Sequence, residues 1–227
     1  MTIFVEGYCR DFDSTFYKVP MKVLYGTTNQ AKLDSMRRIT KSLDIEIIGL
    51  KDLNMPLPEI DENGKNPLEN AKIKAEAYYK AFSMPVFSCD SGLYFDGLEE
   101  ERQPGIHTRR VNGKELTDEE MIEYYSNLAK ENGGKLCGRY KNAVCFIVDK
   151  EHVFCSMDEC LATEPFWLVE KAHEKVVKGF PLDSLSIDIA SGKYYYDMEE
   201  KSVDQSAIEM GFKEFFSNVF SKLDLNN

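Results

Sequence analysis

Two carboxylates from separate parts of the chain have the residue types that phosphate hydrolysis requires. Glu62 lies in a polar loop, and Asp90 stands where a predicted strand ends, followed by Ser91 and Gly92. Two such oxygen ligands can hold a magnesium ion that keeps several waters and bridges to phosphates. A carboxylate beside the ion can also orient or deprotonate a water for attack on phosphorus. Taken alone, the Asp-Ser-Gly run is equally typical of an ordinary turn.

A second group of polar residues precedes the first predicted helix. Thr27, Thr28 and Asn29 form the loop, and Lys32 follows near the helix N-terminus. Free backbone N–H groups, the positive end of a helix dipole and one ammonium together suit a phosphate group. The spacing differs from that of a Walker P-loop. By itself, this group is more typical of a plain helix cap with a solvated lysine.

A further helix is predicted over residues 67–81, directly after the loop that contains Glu62. Pro67 suits the first turn of a helix, and Asn70 and Lys74 lie four residues apart on one face. By itself, this spacing is typical of a solvated helix face. Beside Glu62, the same Lys74 becomes a candidate for neutralising phosphate charge.

The elements that must position these residues alternate between strands and helices. Strands are predicted over residues 22–25, 45–50 and parts of 84–98, with a hairpin over 140–163. Helices are predicted over residues 33–43, 67–81, 116–134 and 207–223, the third capped by Thr117 or Asp118. Since neither repeats nor low-complexity linkers occur, residues 21–227 are expected to form one α/β domain. Residues 1–20 are an N-terminal extension of unknown role, interpreted as an added strand or arm.

The composition restricts the partners of the protein. The chain has 227 residues, of which 43% are hydrophobic and 30% charged, and its formal net charge is -11. This charge argues against a nucleic-acid partner, which requires a basic face, but allows a small phosphorylated ligand. No run approaches the roughly 18 apolar residues of a membrane span. The N-terminus lacks the pattern of a secretory signal.

The cysteines predict neither a metal centre nor a redox pair. Six cysteines occur without a Cys-x-x-Cys pair, and only three histidines accompany them. Cys145 and Cys155 lie in strand-like runs and are interpreted as small buried hydrophobic residues. We therefore expect reduced thiols and a cytoplasmic location.

Four motifs in order resemble those of the inosine/xanthosine triphosphate pyrophosphatase family. "TTNQAK" (residues 27–32) is similar to Thr/Ser-Gly-Asn-x-x-Lys, and "ENGKNPLENAKIKA" (62–75) to Glu-x-Gly-x-Thr-x-x-Glu-Asn-Ala-x-x-Lys-Ala. "CDSGLYFDGL" (89–98) resembles Asp-Asp-Ser-Gly-Leu-x-Val-Asp-x-Leu, and "PGIHTRR" (104–110) resembles Pro-Gly-x-x-Ser-x-Arg. The resemblance extends from about residue 21 to the C-terminus and is weaker after residue 143.

The resemblance implies a fold and an activity. The fold would be an elongated, two-lobed α/β structure, a mixed sheet flanked by helices with the nucleotide in the cleft between the lobes. The protein would be a homodimer that clears deaminated purine nucleotides from the nucleotide pool. With magnesium, it would hydrolyse ITP, XTP or dITP between the α and β phosphates, giving the monophosphate and pyrophosphate.

The resemblance also implies a role for each matching residue. Asp90 would be the general base and a metal ligand, and Glu62 the second metal ligand. The implied substrate contacts are Thr27, Thr28, Asn29, Lys32, Lys74, Ser91, Phe180, Asp183 and Lys201. Phe180 could stack on a base, and packing in the core is an equally good interpretation of this residue.

Near the predicted catalytic centre, three residues depart from the family pattern. Cys89 replaces the first aspartate, and a thiol is a poor magnesium ligand. Thr28 replaces a glycine, so a positive φ at this position would be strained. His107 replaces a tyrosine and is interpreted as a surface or interface residue rather than a catalytic one.

The C-terminal third departs further. Within "GFPLDSLS" (179–186), Ser184 and Ser186 replace a proline and an aromatic residue. At residues 205–207, Gln-Ser-Ala replaces the Ser-His-Arg whose histidine and arginine recognise the purine oxygen in the family. A pocket discriminates strongly only while its polar groups are present. Two alternatives therefore remain, the same reaction on a different base and a nucleotide-binding protein without catalysis.

Overall fold

The computed structural model describes residues 3–5, 8–10, 16–18, 20–198 and 205–224, with side chains over 20–198 and 207–223. The four helices of these residues are α1 (Gln30–Ile39), α2 (Pro67–Phe82), α3 (Asp118–Glu131) and α4 (Gln205–Asp224). The strands are β1 (Ile3–Val5), β2 (Tyr8–Arg10), β3 (Phe16–Lys18), β4 (Met21–Tyr25), β5 (Ile45–Gly49), β6 (Val86–Phe95), β7 (Arg110–Val111), β8 (Lys114–Glu115), β9 (Lys135–Ile147), β10 (Val153–Ser156), β11 (Phe166–Val169) and β12 (Ser186–Asp188). No described helix combines the length and apolar character needed to cross a membrane.

A mixed seven-stranded sheet organises the molecule. Its order is β12-β11-β9-β6-β4-β5, and β10 also pairs with β9. Strand β4 is parallel to β5 and β6, whereas the other pairs are antiparallel. Strands β1, β2 and β3 form a separate antiparallel sheet. The predicted α/β fold, a mixed sheet with flanking helices, is thereby confirmed.

Three hydrophobic clusters define two lobes along the shared strands. In the first lobe, α1 and α4 cover one face of the sheet, around Phe87, Phe146 and Phe216. Helix α2 covers the opposite face of the same lobe. In the second lobe, α3 packs on the sheet around Leu93 and Tyr125. Because β6 and β9 run through both lobes, paired over all ten residues of β6, the lobes share one continuous sheet.

Local capping explains where three helices begin. The Asn29 side chain accepts a hydrogen bond from the backbone N–H of Lys32 at the start of α1. Asn66 caps α2, and Pro67 occupies its first position. Thr117, one of the two predicted caps, is the N-cap of α3 and forms a capping box with Glu120. Such caps satisfy backbone donors that the helix itself leaves free.

The structure corrects the expectation that all thiols are reduced. Cys145 on β9 lies directly opposite Cys155 on β10, with their Cα atoms 4.1 Å apart, and the two form a disulfide. The predicted hairpin is present in outline, and its strand register places the two side chains together. Spacing along the sequence does not reveal this register, which is why the pairing escaped prediction.

Candidate active site

Strand β6 passes through the Asp-Ser-Gly run without a break. The prediction that the strand ends at Asp90 is wrong, because β9 pairs with every residue of β6. On its other side, β6 pairs with β4 only as far as Phe87 and meets Gly105 again at Leu93. Residues 88–92 therefore have no strand neighbour on that side among the described residues. Through this open edge a ligand can reach Asp90. The predicted strand end would have allowed the same access.

Lys74 joins the two predicted metal ligands. Its Nζ atom lies 2.9 Å from Asp90 Oδ1 and 2.9 Å from Glu62 Oε2. The Lys74 side chain is 13% exposed, the Asp90 side chain 17% and the Glu62 side chain 45%. Burial alone would lower the pKa of Lys74, but its hydrogen bonds and charge interactions with Asp90 and Glu62 outweigh this effect and raise it. Lys74 is therefore firmly protonated between the carboxylates.

Asn70 fixes this cluster to the loop that precedes α2. Its Nδ2 atom donates to Asp90 Oδ2 at 3.1 Å, and its Oδ1 atom accepts from the backbone N–H of Gly64 at 2.9 Å. Asn70 is buried, so both bonds are shielded from water. The amide thus holds the loop of Glu62 against the strand of Asp90, which brings together two carboxylates 28 residues apart in the sequence.

The carboxylates of Glu62 and Asp90 fit a magnesium ion. Both hold the same ammonium group, so a positive charge is already stabilised between their oxygens. Oxygen is the ligand atom that magnesium prefers, and the ion usually keeps waters beside one or two carboxylates. Within the described part of the chain, no group of three or more His, Cys, Asp or Glu side chains is arranged to hold a metal.

The residues flanking Asp90 face the opposite side of the sheet. Cys89 and Ser91 line a cavity of about 220 Å³ together with Lys32, Asn142 and Phe212. Burial raises the pKa of the Cys89 thiol to about 11. A protonated thiol does not replace the family's aspartate as a magnesium ligand.

The loop before α1 is shaped by its own side chains. Thr27 Oγ1 accepts from the backbone N–H of Asn29 at 3.2 Å, and Asn29 caps α1. Thr28 is exposed and is not among the described non-glycine residues with positive φ, so replacing the family's glycine causes no strain there. Gly26 is the constrained position instead, since a Cβ atom would overlap Ser88 Oγ and the Tyr78 ring.

Comparison with known proteins identifies the family. The model of the Ham1 family matches residues 23–163. The chain belongs to the Ham1 family. A dITP/XTP pyrophosphatase of Malacoplasma penetrans is 38% identical over 177 residues, which cover 76% of this chain and 78% of that protein. One of Oceanobacillus iheyensis is 36% identical over 102 residues, covering 45% of this chain and 51% of that protein. The chain thus spans about half the length of several such relatives.

Solved Ham1 structures share the fold. The Ham1 protein of Staphylococcus aureus has a TM-score of 0.68 at 22% identity, covering 87% of this chain and 98% of that chain. The HAM1 protein of Coxiella burnetii has a TM-score of 0.70 at 19% identity, covering 89% and 99%. Together with the family match, these results confirm the resemblance to the inosine/xanthosine triphosphate pyrophosphatase family and its fold.

The residues expected at the base lie apart from the carboxylate cluster. Phe180 is 60% exposed and precedes a 3₁₀ helix, Pro181–Leu185, in the second lobe. Burial raises the pKa of Asp183, whose neighbours include Tyr140 and Tyr195. Neither Phe180 nor Asp183 lines the cavities at Asp90 and Ser91. Lys201 lies outside the described residues, so its predicted role stays a prediction.

Two arginines and one amide join the site without having been assigned a role from the sequence, and so does His107, which is exposed and was interpreted as a surface or interface residue. His107, Arg109 and Arg110 line a cavity of about 310 Å³ together with the two carboxylates. Arg109 pairs with Asp118 at 2.8 Å, which anchors the loop to α3. The sequence feature that could have identified this group is the pair of adjacent arginines in "PGIHTRR". Asn142 meets Ser91 only through the β6–β9 register, for which the sequence has no signal.

Proposed function

We propose that this protein hydrolyses nucleoside triphosphates to the monophosphate and pyrophosphate, with magnesium, and acts on dITP, ITP and XTP. The observation that carries the proposal is the cation-bridged pair Glu62 and Asp90 beside an open strand edge. Membership of a family whose relatives are named dITP/XTP pyrophosphatases supports the substrate class. The activity would remove deaminated purine nucleotides from the nucleotide pool.

Each residue of the cluster has a distinct task in this reaction. Glu62 and Asp90 would hold magnesium, which when bound neutralises charge on the phosphate oxygens. Asp90 accepts the proton of the water that attacks the α-phosphorus. The bond from this phosphorus to the bridging oxygen breaks, and pyrophosphate leaves. Lys74 stabilises the carboxylates and the phosphate charge, while Lys32 and the N-terminus of α1 bind the triphosphate.

The loop and base contacts complete the proposed site. Thr28 would present its backbone N–H group to a phosphate oxygen. Thr27 and Asn29 would donate from the hydroxyl and from amide Nδ2, because their own N–H groups already bond to the Tyr25 carbonyl and to Thr27 Oγ1. Ser91 and Lys32 line the same cavity. Phe180 would stack on the base, with Asp183 and Lys201 near the nucleoside. The assignments of Phe180, Asp183 and Lys201 rest on the family motifs alone.

The same reaction on a different base is a second candidate. It is favoured by the sequence Gln-Ser-Ala at residues 205–207, which replaces the family's Ser-His-Arg. Loss of two hydrogen-bonding side chains would weaken the preference for a purine oxygen over an amino group. A third candidate is a protein that binds nucleotides without hydrolysing them.

We also propose a homodimer that acts in the cytoplasm on free nucleotides. The dimer follows from the family resemblance, and the cytoplasm is where the proposed substrates occur. The net charge of -11 supports a partner that is neither nucleic acid nor an anionic membrane surface.

Pyrophosphate release with magnesium tests the proposal. The substrates are ITP, XTP, dITP, ATP, GTP, CTP and UTP. The variants are Asp90→Asn and the control Asp149→Asn, a half-exposed carboxylate in the turn between β9 and β10. We expect Asp90→Asn to lower kcat by about 10³-fold, since it removes the general base and a metal ligand. Asp149→Asn should retain the rate.

The pattern across substrates decides among the candidates. Release from ITP, XTP and dITP alone supports the first candidate. A faster rate with another nucleotide supports the second. Triphosphate binding without release from any substrate, in wild type and Asp90→Asn alike, would establish the binding protein instead.

A further inference from the structure

Asn142 holds Ser91 from the neighbouring strand. The two residues are direct partners in the β6–β9 register, and Ser91 Oγ lies 2.7 Å from Asn142 Oδ1. The other end of the amide, Asn142 Nδ2, donates to the backbone carbonyl of Leu161 at 2.6 Å. Both side chains are partly buried and line a cavity that Lys32 also lines.

The Leu161 carbonyl determines which way these bonds run. A carbonyl oxygen only accepts, so the amide nitrogen of Asn142 must face Leu161 and the amide oxygen must face Ser91. An amide oxygen also only accepts, so the Ser91 hydroxyl must donate to it. The single proton of the Ser91 hydroxyl is therefore committed, and its lone pairs are free to accept.

The Leu161 carbonyl, which accepts the last of these hydrogen bonds, is held firmly in place. Leu161 is fully buried and ends a 3₁₀ helix, Glu159–Leu161. The preceding carbonyl, that of Cys160, packs against Gly211 on α4 so closely that a Cβ atom at Gly211 would overlap it. The position of α4 thus sets the position of the carbonyl that orients Asn142.

We propose that Asn142 is a positioning residue that presents Ser91 to the nucleotide site as a hydrogen-bond acceptor for the Lys32 ammonium. The inference rests on the proposed function. Ionised phosphate oxygens accept and do not donate, so Ser91 is not a direct phosphate contact. Lys32 lines the same cavity, makes no ion pair with another described residue and carries only donors. Ser91 then orients the Lys32 side chain toward the triphosphate before the ligand binds. Less side-chain entropy is therefore lost on binding.

A double-mutant cycle tests this chain of action. The variants are Asn142→Ala, Ser91→Ala, the double variant, and the control Asn132→Ala, whose amide also donates to a backbone carbonyl, that of Leu128. We expect kcat/KM to fall about tenfold in each single site variant, the size of one good hydrogen bond. The double variant should fall no further, because both changes remove the same interaction. Asn132→Ala should leave kcat/KM unchanged.

A conservative variant separates positioning from folding. Asn142→Thr keeps a hydroxyl that can accept from Ser91 and suits a strand, so it should recover most of the lost rate. If Ser91 instead donates to a phosphate, Asn142→Ala frees its proton, and the rate would stay at or above the wild-type value. That result, or additive losses in the double variant, overturns the proposal.

A second readout keeps this inference distinct from the proposed function. The affinity of the same variants is measured for a non-hydrolysable triphosphate. In this analogue, a methylene group replaces the bridging oxygen between the α and β phosphates. Non-additive losses of affinity in a protein without turnover would support the role of Asn142 and refute the hydrolase. Failure to bind any triphosphate would refute both.

Discussion

At the scale of single residues, the charge balance of the carboxylate cluster depends on Lys74. The Lys74 ammonium lies 2.9 Å from one oxygen of Glu62 and 2.9 Å from one oxygen of Asp90. The amide of Asn70 donates one more hydrogen bond to Asp90. Removing the ammonium would leave the carboxylates to repel each other in a partly buried place. Lys74 therefore contributes to stability as well as to the proposed reaction.

Lys74→Met is expected to lower the free energy of unfolding by about 2 kcal/mol, less than for a fully buried pair because Glu62 is exposed. Urea unfolding without magnesium measures this change. The matched control is Lys72→Met on the same helix, whose pair with Glu76 is exposed on both sides and should contribute under about 0.5 kcal/mol. Equal losses in the two variants would contradict the prediction.

Ionisation of Asp183 should lower the free energy of unfolding as the pH rises, whereas a carboxylate in a salt bridge raises it. Burial raises its pKa above the ordinary value of 3.8, so ionising it costs more in the folded protein than in the unfolded one. The stability associated with its protonated form is present below pH 3.8 and is lost as the pH rises through the folded pKa. Asp183→Asn should therefore be more stable than wild type at pH 7, with the difference shrinking toward about pH 4. Thermal unfolding across this range measures the difference, and a gap that does not change with pH would refute the assignment.

At the scale of the elements, prediction from the sequence succeeded where local patterns agree with the tertiary contacts. Helical spacing located α1, α2 and α3, and Pro67 and Thr117 marked the starts of α2 and α3 because such signals act locally. The predicted end of the strand at Asp90 was wrong, because Asp90, Ser91 and Gly92 favour a turn only in isolation. Pairing with β9 along the whole strand overrides that preference. The roles of Asn70 and Asn142 depend on contacts between distant elements, which no local pattern specifies.

Gly26 should be the position at which the loop before α1 tolerates no side chain. Gly26→Ala places a methyl group against Ser88 and Tyr78, and we expect a loss of about 2 kcal/mol in stability from overpacking. Thr28→Gly, which restores the family's residue, should change stability by less than about 1 kcal/mol because Thr28 has no positive φ. Chemical denaturation compares the two variants. A larger loss for Thr28→Gly would show that the constraint lies at residue 28.

At the scale of the whole molecule, the two lobes are joined through β6 and β9 rather than through a linker. Composition and alternation of elements predicted one α/β domain and left two lobes open, and the resemblance to a family then implied two lobes. The division is visible in the structure because separate hydrophobic clusters, around Phe87 and around Leu93, lie on the same strands. The disulfide between Cys145 and Cys155 was missed for the same reason as Asn142, because both depend on the register of β9.

The shared strands predict that the lobes unfold together. Trp167, the single tryptophan, lies on β11 in the second lobe, whereas α1, α2 and α4 surround the first. Tryptophan fluorescence therefore reports mainly the second lobe, and circular dichroism of the helices mainly the first. We expect coincident unfolding curves in urea, as for a single cooperative unit. Two separated midpoints would show that the lobes are independently stable.

Under the proposed function, the contact of Gly211 with the Cys160 carbonyl would link substrate choice to turnover. Helix α4 begins where the family places its base-recognising residues, and its glycine presses on the 3₁₀ helix that orients Asn142. A shift of α4 that admits a new base would therefore move Asn142 and, through it, Ser91. In evolutionary terms, specificity and rate would then be inherited together. We expect divergence at the start of α4 to require compensating changes on β9, and laboratory selection for a new substrate should recover paired mutations at these two places.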